Sequence, residues 1–97
     1  MPDFILLMHD DAPVKPAASA WPAYLAGLRQ RGVFEGGSAV GDGICVRKDN
    51  ATRPITQTIG GYLRVTADTI ADVRDLLPGN PVYEAGGTIE IRELPIT

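Results

Sequence analysis

An α+β fold of element order β-α-β-β-α-β is predicted by three observations along this 97-residue chain. Residues 4–9 are apolar on both alternating faces, two segments place apolar side chains at helical spacing, and residues 57–66 and 88–94 alternate with period two.

Each element has a local reason. The run Phe4-Ile5-Leu6-Leu7-Met8-His9 has no wet side, as expected of a central strand covered above and below. Pro13 and Pro16 mark residues 11–18 as a connector. Ser19 reads as a helix N-cap, with Pro22 tolerated in the first turn. Trp21, Tyr24, Leu25 and Leu28 then share one helical face. Arg29 and Arg31 complement the helix dipole, and Gly32 is a natural stop. Gly43-Ile44-Cys45-Val46-Arg47 reads as the second strand, with Gly41-Asp42-Gly43 as a hairpin or bulge, followed by a loop over 49–54. In strand 57–66, Ile59, Gly61, Leu63 and Val65 face one way, and Thr58, Gly60, Tyr62 and Arg64 the other. Asp68 is expected to cap a second helix with a buried stripe of Ile70, Val73, Leu76 and Leu77, ended by Pro78-Gly79. The last strand, 88–94, separates Ile89 and Ile91 from Thr88, Glu90 and Arg92.

The order is that of a ferredoxin-like unit, with both helices on one face of an antiparallel sheet. The other face would carry Tyr62, Arg64, Glu90 and Arg92 beside an apolar first strand, a poor surface to leave in water. A second copy packed sheet against sheet resolves this, and two-fold pairing is the commonest way to do so. A homodimer is therefore expected, enclosing a partly polar chamber suited to a small ligand.

The chain is long enough for one domain, 1–97. With 44% hydrophobic and 22% charged residues it is neither disordered nor fibrous. A net charge of −3 without a Lys/Arg cluster argues against nucleic acid or an anionic membrane as main partner. Phe4–Met8 is too short for a signal-peptide core or a membrane span, so a cytoplasmic location is expected, and Asn50-Ala51-Thr52 reads as a polar loop. The lone Cys45 excludes an internal disulfide and a cysteine-rich zinc site, and its apolar neighbours suggest a small buried side chain.

Five stretches resemble the YCII-related domain family: Phe4-Ile5-Leu6-Leu7-Met8-His9, residues 21–28, Gly32-Val33-Phe34-Glu35-Gly36-Gly37, Ile59-Gly60-Gly61-Tyr62-Leu63, and Asn80-Pro81-Val82-Tyr83-Glu84-Ala85-Gly86-Gly87-Thr88-Ile89-Glu90-Ile91-Arg92. The resemblance covers almost the whole chain and implies a dimeric α+β barrel. The chain departs from the family twice. The DGPF tetrad of one branch is replaced by Thr52-Arg53-Pro54-Ile55, and a His/Asp pair of another branch falls on Tyr24 and Asn80. Tyr and Asn hydrogen-bond a ligand but do not perform carboxylate–imidazole proton transfer.

The catalytic candidates are His9, the only histidine, and the neighbouring Asp10, with Asp11 as a further carboxylate able to tune His9 as a general base. Tyr24, Ser38, Tyr62, Arg64 and Asn80 are the substrate-binding candidates, Arg64 being suited to a small anion. Gly60-Gly61 reads as a bulge or as a place where a ligand or Trp21 approaches the backbone. Neither a metal nor a cofactor is expected. These readings lead to a cofactor-free enzyme that moves a proton on a small anionic or lactone-like substrate, by isomerisation or dehalogenation. The alternatives are a non-catalytic dimeric module binding a metabolite or protein, and a dimer with a filled interior.

Overall fold

The computed structural model describes residues 1–96. The strands are β1 (Asp3–His9), β2 (Phe34–Ala39), β3 (Ile59–Thr66) and β4 (Ile89–Leu94). The helices are α1 (Trp21–Gln30), entered through a 3-10 turn at Ala18–Ala20, and the short α2 (Ile70–Arg74) and α3 (Pro81–Glu84). All pairings are antiparallel and the sheet order is β2-β3-β1-β4. This is the ferredoxin-like α+β arrangement.

β1 is central because its alternate side chains Phe4, Leu6 and Met8 are buried at 5% exposure or less beneath the helices. They pack with Leu63 and Val65 of β3 and with Tyr24 and Leu28 of α1. Val73, Leu76 and Leu77 complete the core from α2 and the turn after it. The opposite face of β1 presents Ile5 and Leu7, half-buried between Arg64 and Tyr62 of β3 and Arg92 and Glu90 of β4.

Several local expectations are corrected. The second strand is Phe34–Ala39, while Gly43–Arg47 forms no strand at all and leaves Ile44 and Val46 at 85% and 80% exposure. Its β-branched residues favour a strand, but a strand needs a ladder partner; the glycine-rich segment wins because it lies directly against β3. Cys45 is accordingly exposed, its thiol directed at the Pro54 carbonyl oxygen at 3.4 Å. Ser19 does not cap α1, since the 3-10 turn displaces the cap to Ala20, which makes no side-chain bond. α2 is capped by Thr69, whose hydroxyl accepts from the Asp72 N–H at 3.2 Å, one residue beyond Asp68. Ile70 is consequently outside the buried stripe, at 53% exposure.

Candidate functional site

The end of β1 organises the site. Pairing runs regularly to Met8 opposite Gly61, then jumps to His9 opposite Ile59, so Gly60 is the extra residue of a β-bulge. Beyond the bulge, the Asp10 N–H donates to the Thr58 carbonyl at 2.6 Å. The Asp10 carboxylate lies against the Gly60 Cα, in the volume where any other residue would place its Cβ. The glycine leaves room for this close approach, and the approaching group is a carboxylate of the chain itself.

Asp10 stands at the mouth of a cavity of about 360 Å³ between the sheet and α1. Trp21 and Leu25 of α1 wall it on one side, Gly37, Gly60 and Gly61 contribute side-chain-free backbone on the sheet side, and Met8, Phe34 and Val82 close its flanks. Trp21 is held edge-on to Tyr24, ring centroids 5.9 Å apart, and the Arg29 guanidinium sits 5.1 Å above the Phe34 ring. Asp10 is the only titratable carboxylate or cation on the cavity lining among the described residues, and its carboxylate accepts no hydrogen bond from them.

His9 faces the other side of the sheet. Its Nε2 lies 3.0 Å from Glu90 Oε1 of β4. The carboxylate that orients this imidazole is thus Glu90 of the adjacent β4, since alternation turns Asp10 to the opposite face and Asp11 is bonded to Thr88. The bond from His9, then that from Arg92 Nη1 at 3.1 Å, holds the Glu90 carboxyl below its ordinary range. Asp11 is spent on the start of β4. Its carboxylate accepts from the Thr88 N–H at 2.8 Å and from the Thr88 hydroxyl at 2.5 Å, and these bonds lower its pKa.

The remaining candidates divide between three places. Tyr62 and Arg64 share the open sheet face with His9 and Glu90, and Arg64 lies 3.8 Å from Asp3. Ser38, opposite Tyr62 at the edge of the sheet, donates to the Ala39 carbonyl at 2.8 Å. Ser38 and Tyr62 border the cavity, but strand alternation sends their side chains to the opposite face from Gly37 and Leu63. Tyr24 and Asn80 are buried in the helical layer. The Tyr24 hydroxyl donates to the Leu76 carbonyl at 2.8 Å, and burial pushes its pKa up. Asn80 Oδ1 caps α3 by accepting from the Val82 and Tyr83 N–H groups at 3.0 and 3.1 Å, leaving Nδ2 buried without a partner. Among the described residues no cluster of three or more His, Cys, Asp or Glu side chains is placed to hold a metal ion, and no helix is long and apolar enough to cross a membrane.

The fold has a counterpart among solved structures. The chain is similar to 5-chloro-2-hydroxyhydroquinone dehydrochlorinase (TftG) from Burkholderia phenoliruptrix AC1100 in complex with 2,5-dihydroxybenzoquinone, with a TM-score of 0.57 and 17% identity over 96% of this chain and 93% of that one. The likeness establishes the fold. No family model matches the chain, and no curated protein is similar to it at a significant level.

The wall residues Leu25, Phe34 and Val82 were not legible as site residues, because an apolar side chain facing a cavity and one facing a core carry the same sequence signal. The Gly60-Gly61 pair inside a strand is the signal that did exist.

Proposed function

We propose that this protein is a cofactor-free enzyme of the YCII-related kind that moves a proton on a small organic substrate held between the sheet and α1, with Asp10 as the base. The observation that carries this reading is an unpartnered carboxylate, seated by a β-bulge, at the mouth of an otherwise apolar cavity. Such a group is within reach of a bound molecule and is not committed to a structural bond. In an isomerisation Asp10 takes a proton from one carbon and its conjugate acid returns it to another. In a dehydrochlorination, the activity for which the structural neighbour is named, Asp10 takes the proton while chloride leaves with the carbon–chlorine electron pair.

The functional unit in this proposal is a cytoplasmic homodimer, a dimeric α+β barrel. The half-buried Ile5 and Leu7 on the open sheet face support it, since a central strand sheds this much apolar surface best against a second copy.

A second reading rests on the His9–Glu90 contact at 3.0 Å. Here the carboxylate-oriented imidazole is the base in the inter-subunit chamber, with Tyr62, Ser38 and Arg64 holding an anionic substrate. Screening halogenated rings, hydroxylated rings and small lactones for proton or chloride release, with Asp10→Asn and His9→Ala variants of each hit, separates the two. The cavity reading expects Asp10→Asn to lose turnover at wild-type stability and His9→Ala to keep it. The opposite result moves the site to the open face, and no turnover at all favours a binding module.

A further inference from the structure

The shape and charge of the cavity define its ligand more closely than the reaction does, and this inference rests on the cavity reading above. On its sheet side lie Gly37, Gly60 and Gly61, the space beside them taken by the ends of Leu63, Asp10 and Met8, and on its other side lie Trp21 and Leu25. A Cβ on Gly61 would press on the Ser38 carbonyl at 3.1 Å and the Met8 Cε at 3.3 Å, so this side has no room to spare. The result is a mainly apolar cavity with Trp21 in its wall, suited to stacking a planar ring.

The charges sort ligands further. No Lys, Arg or His lines the cavity among the described residues, and the one charged group there is the Asp10 carboxylate. Arg64 and Arg92, the cations suited to an anion, belong to the opposite sheet face. The nearby Arg29 is engaged over the Phe34 ring. An anionic ligand would therefore meet a like charge in a mainly apolar cavity and find no counter-ion on its lining. A hydroxyl group would instead donate to Asp10 and satisfy its free acceptors.

We infer that the cavity takes an uncharged, planar, hydroxyl-bearing single ring and rejects carboxylates of the same size. Trp21, the only tryptophan, reports occupancy directly through its fluorescence. Three probes share one ring and differ in charge: phenol, benzoate and benzylamine. The expected result is saturable quenching by phenol, at least about tenfold weaker quenching by benzoate, and a comparable weakening of phenol in Asp10→Asn with benzoate unchanged or improved. Benzoate binding as well as phenol overturns the inference while leaving the cavity a ligand site. Benzylamine binding more tightly than phenol, and losing this in Asp10→Asn, overturns it in favour of a cationic ligand. If no probe perturbs Trp21, the inference and the cavity reading fail together.

Discussion

Gly60→Ala separates the seating of Asp10 from the stability of the fold. The added Cβ would lie 2.8 Å from Asp10 Cγ and 3.0 Å from Oδ2, and closer still to Oδ1. Ordinary contacts between such atoms are about 3.5–4.0 Å, so the carboxylate must retreat by about 1 Å. The atoms in the way end an exposed side chain with solvent space to turn into, and Gly60 does not have a positive φ. Alanine therefore fits the backbone and restricts the unfolded chain, a gain of about 0.4–1 kcal/mol that offsets the displaced side chain. Net stability should stay within about 1 kcal/mol of wild type, a shift in Tm below about 8 °C for a domain of this size. Misplacing a catalytic group by about 1 Å costs on the order of a hundredfold in rate. Thermal melts, phenol titration of Trp21 and turnover of a screened substrate are measured on one preparation. A Gly60→Ala protein that binds and turns over like wild type refutes the seating argument. So does one that loses more than about 3 kcal/mol, because the glycine would then serve the fold. Gly37→Ala is the contrasting control: its Cβ would meet the Tyr62 carbonyl oxygen at 2.5 Å and Leu63 Cα at 3.1 Å, backbone that cannot swing away, and it should unfold at clearly lower temperature.

Three further outcomes are expected. Because the pKa of Glu90 is depressed in the folded protein, the His9–Glu90–Arg92 contacts contribute stability above its ordinary value near 4.5 and lose it as pH falls through the lowered value; urea midpoints measured from pH 6 to 3 should fall less steeply in Glu90→Gln than in wild type. Asn80→Ala removes the α3 cap at a fully buried position and should cost about 1–2 kcal/mol in urea denaturation. Leu7→Lys places a charge on the open sheet face without entering the core; under the proposed homodimer, sedimentation should show a dimer for wild type and a well-folded monomer for the variant.

The sequence was most legible where one physical signal acted alone. The apolar run of β1, the Trp21–Leu28 face of α1 and the alternation in β3 each report burial, and the element order and face assignments follow from them. Competing signals produced the errors. Gly43–Arg47 has the better strand composition, yet Phe34–Ala39 has the partner, and pairing is a non-local fact. Ser19 and Asp68 are sound caps by type, but a 3-10 turn and Thr69 move the helix starts past them. The strand parity that divides His9 from Asp10 is visible in the sequence, whereas the bulge at Gly60 and the partnership with Glu90 require knowing what lies across the sheet.

The placement of β1 also governs how the molecule comes into being. Its two neighbours are supplied by β3 and β4, some fifty and more residues downstream, and its own immediate successors in the chain contribute no flanking strand. During synthesis this most water-averse stretch emerges before either of its sheet neighbours and waits, unpaired, until β4 leaves the ribosome. Closure of the sheet is therefore a late, long-range event of the kind that folds slowly and invites chaperone capture. A nascent chain halted before Ile89 would display a bare sheet edge, and that intermediate is where aggregation of this protein should begin.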